Sequence, residues 1–176
     1  MARITYERLR QVLRYSPIVG VFEWRVAGRR IRPGFLAGTV VTGGYIRIGV
    51  DRRAYPAHQL AWLYMTGDWP DGPIDHIDGD PSNNAFSNLR LASFAQNSAN
   101  SRRNSSNTSG VKGVSYDRRR GKWRAVIRSK GRVVFDKSFD SIELAEAAIT
   151  EARQEVHGEF ANHGLHKYEQ EELATV

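Results

Sequence analysis

The stretch 73–97 is the part of the sequence that leaves the fewest options for folding. It places an acid and an imidazole, Asp75 and His76, on adjacent residues of a short apolar segment, and a polar loop rich in Gly, Pro and Asn follows. A second short segment, 89–91, leads into a helix that begins after Ser93, a residue type that favours the N-cap position. The stretch therefore predicts two strands joined by a loop and followed by a helix.

These residue types suit metal-assisted phosphodiester hydrolysis, which needs a divalent cation to neutralise developing charge and a base to activate water. The carboxylate of Asp75 and the side-chain carbonyl of Asn97 are oxygen ligands of the kind that Mg²⁺ prefers. His76 titrates near neutral pH and suits the role of base. The residues 78–80, Asp-Gly-Asp, also look like a calcium loop, but the bidentate Glu that an EF-hand needs at position 12 is missing.

The order D-H-x-D-G, then N-N, then N-L-R and a helical Asn resembles the HNH endonucleases of the phage and intron-encoded group, with His76, Asn88 and Asn97 as the three motif letters. The resemblance implies a ββα-metal finger in which Asp75 and Asn97 hold Mg²⁺, with Mn²⁺ as a substitute, and His76 is the general base. It also implies that Asn88 pins the loop and orients the His76 ring. The alternative is a degenerate, inactive copy of the finger.

Three residues near the motif are supporting candidates. We expect Asn84 to reinforce the loop, because Asn tolerates left-handed backbone and bonds its own backbone. His58 lies at the start of an upstream helix, and we expect it to bond backbone beneath the site rather than to act in catalysis. Arg90, on the second strand, is either a phosphate contact or a solvated side chain.

Positive charge is concentrated in one segment of the chain. The formal net charge is +7 and the pI is near 10.0, and residues 102–137 hold 12 Lys and Arg against 2 acids, Asp117 and Asp136. Such a surplus attracts polyanions, and binding to DNA gains free energy from counterion release at each neutralised phosphate. We therefore expect double-stranded DNA to be the partner.

Residues 98–109 are dominated by Ser and Asn and predict a linker, because such a composition cannot bury a core. Beyond it, alternation and helical periodicity predict three strands and one helix, at about 113–116, 123–128, 132–135 and 141–157. Asp140 is the expected N-cap of this helix, and Val156 is expected on its apolar face.

This C-terminal pattern resembles an AP2 domain, a three-stranded antiparallel sheet backed by one helix, over about 50 residues. The resemblance implies that the sheet lies in the major groove of DNA. Alternation predicts that Trp123, Ala125 and Ile127 pack on the helix. Ser115 and Asp117 stand where plant AP2 factors commonly carry base-reading arginines, so the plant recognition sequence is not carried over. The candidate DNA contacts are Arg102, Arg103, Lys112, Ser115, Arg118, Arg119, Arg120, Lys122, Arg124, Arg128 and Arg132.

The N-terminal region predicts a small sheet with helices. A helix is expected from Thr5 to about Ser16, with further elements as follows: strands at about 21–25 and 43–50, a loop over 28–38, a hairpin turn at 51–53 and a helix at about 57–65. The whole chain is therefore expected to be α+β. The expected boundaries are 1–97 for the N-terminal region and nuclease domain, 98–109 for the linker, 110–163 for the AP2-like domain and 164–176 for the tail.

Other features exclude several classes of protein. Cysteine is absent, which excludes a disulfide framework and a zinc site built on thiolates. Apolar runs fall short of the roughly 18 residues that a membrane span needs, and the N-terminus lacks the apolar core of a secretory signal. We expect the chain to act in the cytoplasm of a bacterial host, without membrane or small-molecule cofactor.

The function expected from these features is site-directed DNA cleavage to a 3′-hydroxyl and a 5′-phosphate, as in a phage homing endonuclease, with a monomer favoured. The competing class is a non-catalytic, sequence-specific DNA-binding protein that keeps a degenerate finger. A weaker alternative is an RNA nuclease.

Overall fold

The chain divides into two units, Met1–Ala92 and Ser93–Val176. The computed structural model describes residues 3–29, 31–101, 103–104 and 106–164. Arg102, one of the expected DNA contacts, and the tail from residue 165 onward lie outside the described residues. The division follows residue 92, ahead of the boundary expected at 97, so the helix that carries Asn97 belongs to the second unit.

Among its described residues, the first unit has two α-helices, eight strands and one 3₁₀ turn at Phe86–Asn88. In chain order the helices and strands are α1 (Tyr6–Val12), β1 (Leu13–Ser16), β2 (Val21–Trp24), β3 (Leu36–Ala37), β4 (Thr39–Val40), β5 (Ile46–Val50), β6 (Arg53–Pro56), α2 (Ala57–Thr66), β7 (Ile74–His76) and β8 (Leu89–Leu91). They form the antiparallel sheets β1-β2-β3, β4-β5-β6 and β7-β8. Helices and small antiparallel sheets agree with the expected α+β class, although β3 falls in the segment 28–38 for which a loop is expected.

The first helix is shorter than expected. Thr5 caps α1 as predicted, and its hydroxyl accepts a hydrogen bond from the Arg8 backbone N–H at 3.2 Å. The helix expected to reach Ser16 ends at Val12, and β1 follows without a break. Leu13 and Tyr15 are buried while the residue between them is exposed, which is the period of a strand and not of a helix.

A tight hairpin and a capped helix lead toward the motif. Asp51 and Arg52 both have positive φ, 48° and 64°, and they form the two-residue loop of the β5–β6 hairpin, as in a type I′ turn whose twist matches the paired strands. The turn predicted at 51–53 is confirmed. Helix α2 ends at Gly67, whose φ of 87° forms a left-handed cap.

One hydrophobic core supports the motif hairpin. Its largest fully buried apolar side chains come from α1, β1, β2, β5 and α2, and they are Leu9, Leu13, Phe22, Ile48, Leu60 and Leu63. Ile74 of β7 and Leu89 of β8 join the same core. Because successive residues of a strand point to opposite faces, anchoring Ile74 on the core fixes how the next residue, Asp75, is presented.

The turn between β1 and β2 contacts the motif loop directly. The Phe86 backbone N–H donates to the Pro17 carbonyl at 2.8 Å. Gly20 has a φ of +77°, and a Cβ built on it would lie 2.2 Å from the Ala85 backbone nitrogen and 2.3 Å from the Asn84 carbonyl carbon. Gly20 is therefore required both for its backbone conformation and for this close approach.

The second unit is a three-stranded sheet with two α-helices and a 3₁₀ turn at Gly158–Phe160, counted over its described residues. Its elements are α3 (Phe94–Ala99), β9 (Val114–Asp117), β10 (Lys122–Ser129), β11 (Arg132–Phe139) and α4 (Ile142–His157). The sheet is antiparallel in the order β11-β10-β9, and the three strands and the long helix occur where they are predicted. Ala125 and Ile127 are buried against α4, with Trp123 half-buried beside them. This confirms the prediction that these three residues of β10 face the helix. No described helix of either unit is long and apolar enough to cross a membrane.

Two details of α4 differ from the prediction. Its N-cap is Ser141, whose hydroxyl accepts from the Leu144 backbone N–H at 3.3 Å, and not Asp140. The predicted apolar residue Val156 is 39% exposed, while the neighbouring Arg153 is buried. The apolar stripe therefore ends one turn early, and polar contacts replace it.

The segment expected to be a linker is folded over its described residues. Ala99 and Asn100 are buried, and the Ser109 hydroxyl donates to the Val114 carbonyl at 2.7 Å. Ser and Asn side chains bond nearby backbone groups readily, so the described residues of this segment pack through hydrogen bonds where its composition offers few apolar side chains.

We predict that Gly20→Ala destabilises the first unit more than Gly34→Ala does. Both glycines have positive φ, but nothing lies within 4 Å of a Cβ on Gly34. The control therefore carries only the backbone cost of about 1 kcal/mol, whereas Gly20→Ala adds overpacking of about 1–3 kcal/mol. Urea unfolding followed by tryptophan fluorescence measures both, and equal losses would show that the turn does not press on the loop.

Candidate active site

Asp75 is buried and ion-paired. It lies at the middle of β7, and its side chain is 3% exposed. Arg90 stands opposite it in the β7–β8 register, 16% exposed, and donates from Nε to Asp75 Oδ2 at 2.9 Å. A charge-assisted bond of this kind offsets part of the cost of removing a carboxylate from water. Of the two roles expected for Arg90, phosphate contact or solvated side chain, the ion pair excludes the second.

His76, the next residue, is also buried and meets an amide. Its Nε2 lies 3.3 Å from Asn84 Oδ1. An amide oxygen accepts only, so the neutral ring that satisfies this contact carries its proton on Nε2. The lone pair of the ring then lies on Nδ1, the nitrogen that can take a proton from water.

Burial and nearby charge act on His76 in opposite directions. Burial lowers the pKa of His76 below its ordinary value, while the bond to Asn84 and the carboxylates of Asp78, Asp75 and Asp80 raise the pKa. The net direction is downward. The imidazole is therefore neutral at pH 7, and the surrounding carboxylates stabilise the imidazolium that forms when it accepts a proton.

Two further rings pack on His76. The centroid of His58 is 5.1 Å from that of His76, with the planes at 84°, and Tyr45 contacts both rings, at 5.7 Å and 6.1 Å. His58 Nδ1 is buried without a hydrogen-bond partner among the described residues. The backbone bonding expected of His58 is not seen at Nδ1, and its ring packs on His76 in the edge-to-face geometry that aromatic rings favour.

The loop between β7 and β8 is organised by Asp78. Its Oδ1 accepts from the Asp80 backbone N–H at 2.8 Å and from Asn88 Nδ2 at 2.9 Å, and its Oδ2 accepts from Asn83 Nδ2 at 2.7 Å. Asn88 Oδ1 in turn accepts from the Asp78 backbone N–H, at 3.0 Å. Asn88 thus pins the loop as expected. The expected orienting of His76 by Asn88 stays a prediction, and Asn84 lies within hydrogen-bond distance of that ring.

Asn84 is the most deeply buried polar residue of the site, at 0% exposure. Its Nδ2 donates to the Ser82 carbonyl at 3.0 Å, and its own carbonyl accepts from the Tyr15 hydroxyl at 2.6 Å. Asn84 reinforces the loop as expected and in addition holds His76.

Sequence reasoning missed Asp78 as the organiser of the loop, together with Tyr15 and Tyr45. The position of Asp78 inside the D-H-x-D pattern was the available signal. The two tyrosines lie far from the motif in the chain, so the sequence carried no signal for them.

Asp75 offers a buried carboxylate, an oxygen ligand of the kind that Mg²⁺ prefers. Among the described residues, no group of three or more His, Cys, Asp and Glu could hold a metal ion. Asn97 lies on α3 of the second unit, half-buried.

The expected DNA contacts of the second unit fall into two groups. Three cations are ion-paired: Arg124 with Asp136, Lys122 with Asp140, and Arg120 with Asp117. Four arginines have exposed side chains without a salt bridge among the described residues, namely Arg118, Arg119, Arg128 and Arg132. Ser115 is exposed and stands opposite Arg124 in the β9–β10 register. We call the face of the sheet opposite α4, which carries Ser115 and Arg124, the outer face.

Two expected DNA contacts bond backbone carbonyls within the second unit. The Lys112 ammonium donates to the carbonyls of Ala99, Ser101 and Asn162. Burial, and after it Arg153, lower the pKa of Lys112 to about 8, so the ammonium still predominates at neutral pH. Arg103 donates to a loop carbonyl. Because its ammonium bonds these carbonyls, Lys112 is not proposed as a DNA contact.

The hairpin with adjacent Asp75 and His76, its asparagine-pinned loop and the following helix define a known class. Residues 55–99 match the family model described as HNH endonuclease. The chain therefore contains an HNH endonuclease domain, of a family whose members are metal-dependent nucleases.

Individual relatives are viral. The chain is 43% identical to "Protein 3.8" of Escherichia phage T7 over 105 residues, which are 59% of this chain and 86% of that protein. It is 36% identical to "Uncharacterized HNH endonuclease L560" of Acanthamoeba polyphaga mimivirus over 88 residues, 50% of this chain and 44% of that protein. No solved structure matches the chain significantly. The family match ends at residue 99, ahead of the AP2-like segment.

We predict that His58 makes the first unit sensitive to acid. Burial, with a smaller contribution from His76, lowers the pKa of His58 from 6.5 to about 4. Unfolded His58 takes up a proton near pH 6.5 and folded His58 only near pH 4, so stability is lost as the pH falls through this window. His58→Phe keeps the ring and removes the proton site, and we expect urea midpoints between pH 6.5 and 4 to fall less steeply than in the wild type. Parallel slopes would contradict the prediction.

Proposed function

We propose that the chain is a metal-dependent DNA endonuclease that hydrolyses phosphodiester bonds to a 3′-hydroxyl and a 5′-phosphate. The observation that carries the proposal is the buried pair Asp75 and His76 on β7, with the His76 ring held at Nε2 by Asn84. A carboxylate can serve as a metal ligand and a neutral imidazole as a base, and the Asp75 carboxylate is near enough to raise the pKa of His76.

In this proposal each residue has one role. Asp75 and Asn97 hold the cation, with Asn97 assigned by its place in the motif, and Mg²⁺ is the proposed metal with Mn²⁺ as a substitute. When bound, the cation neutralises charge on the phosphate as the bond breaks. His76 takes the proton of the attacking water at Nδ1, and Asn84 keeps the ring from turning away.

Asn88 acts through the loop, which it ties to Asp78 by two hydrogen bonds. Arg90 holds the Asp75 carboxylate in place and, near a bound phosphate, offers a second cation. Tyr45 and His58 pack on the ring and limit its motion. A base held in a fixed position loses little free energy to reorganisation when the reaction begins.

The second unit is proposed to present the DNA. Its three-stranded sheet and helix support an AP2-like mode in which the outer face enters the major groove. The exposed and unpaired arginines Arg118, Arg119, Arg128 and Arg132 are the strongest candidates for phosphate or guanine contacts. One motif in each chain gives one cut per bound monomer, which is nicking, as in a phage homing endonuclease acting in the cytoplasm of its host.

The ion pair of Asp75 favours one alternative, a non-catalytic, sequence-specific DNA-binding protein with a degenerate finger. Arg90 already bonds Asp75 Oδ2, and a guanidinium there competes with a cation for the carboxylate. The two candidates differ in whether metal elicits cleavage.

We predict that the protein nicks supercoiled plasmid when Mg²⁺ or Mn²⁺ is present and that EDTA stops it. His76→Ala should lower the rate by about 10²–10⁴-fold, the usual contribution of a general base, and Asp75→Asn should also lower it. His157→Ala is the matched control, since His157 lies on α4, outside the site. Gel electrophoresis measures the nicked fraction. DNA that is retarded but uncut at every metal concentration would support the non-catalytic alternative.

We predict that Arg128→Ala weakens DNA binding more than Arg124→Ala does. Arg128 has no salt bridge among the described residues, whereas Arg124 is held by Asp136. Loss of one phosphate contact should reduce the slope of log affinity against log salt by about 1. Fluorescence anisotropy in EDTA, over a salt series, measures this. A larger effect for Arg124→Ala would mean that its pair with Asp136 opens on DNA.

A further inference from the structure

Lys112 has the least expected environment of the basic residues in the second unit. We propose that Lys112 is a positioning residue that fixes helix α3, and with it Asn97, onto the three-stranded module. The inference rests on the proposed function, because it gives Lys112 a part in cleavage through Asn97 rather than through DNA.

The three carbonyls that Lys112 bonds come from both ends of the second unit. Its Nζ lies 2.8 Å from the Ala99 carbonyl and 3.0 Å from the Asn162 carbonyl, and it also bonds the Ser101 carbonyl. An ammonium has three donors and no acceptor, so these three carbonyls use its full capacity. Lys112 therefore joins the end of α3 to the chain that follows α4.

This bond falls where α3 needs support. The helix has 6 residues, which is far too short to be stable alone in water. Ser93 caps its first turn through a capping box with Gln96. At the other end the last carbonyls lack helical partners, and a cation there satisfies them and interacts favourably with the helix dipole. Ala99, which receives the bond, is two residues beyond Asn97.

A second layer of contacts fixes Lys112 itself. Arg153 of α4 is buried and donates from Nη2 to the Lys112 carbonyl at 2.6 Å, and its Nη1 lies 3.2 Å from His163 Nδ1. Asn162 Nδ2 donates to Asn100 Oδ1 at 3.3 Å, next to the end of α3. These contacts make α3 part of the module and not of a flexible linker.

The basic residues of the second unit therefore have two different roles. Arginines of the outer face remain available to DNA, while the ammonium of Lys112 holds α3 and, with it, Asn97. Loss of Lys112 should therefore impair metal use and turnover and leave DNA affinity unchanged, the opposite of what loss of a phosphate contact does.

The experiment uses the full chain with Lys112→Met, which keeps the length of the side chain and removes the charge. The milder Lys112→Gln keeps two donors and covers the case in which Lys112→Met fails to fold. Lys137→Met is the charge-matched control, because Lys137 is exposed on β11. Hydrogen exchange of metal-free protein tests the anchor itself: the amides of Asn97 and Asn100, which bond Ser93 and Gln96, should lose protection in Lys112 variants, while Val126 in β10 keeps it.

Cleavage and binding then test the role. For Lys112→Met we expect the metal concentration for half-maximal nicking to rise, or the nicking rate at saturating DNA to fall, by about 10-fold, as for the loss of a residue that orients a metal ligand. Lys112→Gln should show a smaller loss, and Lys137→Met should behave as the wild type. The dissociation constant for DNA in EDTA should stay within about 2-fold of the wild type, since no phosphate contact is lost.

Three results would overturn the inference. One is a fall in DNA affinity that accounts for the whole loss of cleavage, which would make Lys112 a phosphate contact. Another is unchanged protection of the α3 amides in both Lys112 variants, and the third is unchanged metal dependence despite lost protection. A wild-type protein that never nicks DNA would refute the proposed function instead, and the exchange data would still show whether Lys112 holds α3.

Discussion

The site depends on the contact between the β1–β2 turn and the loop that carries Asn84. Gly20 brings the two backbones closer than any side chain would permit, and Tyr15 bonds the Asn84 carbonyl at 2.6 Å. A fully buried amide costs free energy unless its polar atoms are satisfied. Here Asn84 reaches both Ser82 and His76. The N-terminal hairpin thus acts as the support that keeps the His76 ring in one orientation.

The pKa values of the two histidines of the first unit differ because their neighbours differ. His58 and His76 are packed ring to ring and both are buried, so desolvation lowers the pKa of each. Three carboxylates oppose that effect only at His76, whereas the pKa of His58 falls to about 4. A general base must be neutral at rest, and the lowered pKa of His76 agrees with that condition. His58 remains a neutral ring over the physiological range.

Sequence patterns predicted the parts whose signals are local and failed where distant contacts decide. Alternation over 113–139 and the N-cap signal of Ser93 gave the right elements, because strand period and capping act within a few residues. Leu13 fits a helical stripe as well as a strand, and only its pairing with β2 distinguishes them. Asn84 and Asn88 are equally polar in the sequence, and which one meets His76 is decided by the docking of a turn some 65 residues earlier, at Gly20.

In the proposed binding mode, the formal charge overstates the number of cations that the second unit presents to DNA. Asp136 and Asp117 lie among the arginines of the outer face and neutralise part of the surplus counted along the chain. The Lys112 ammonium donates to carbonyls within the second unit. Counterion release scales with the phosphates that are actually neutralised, so affinity should follow the few unpaired arginines. An acid beside an arginine also disfavours phosphate at that position, and the pair Arg124 and Asp136 is therefore better suited to discriminating among base edges than to gripping the backbone.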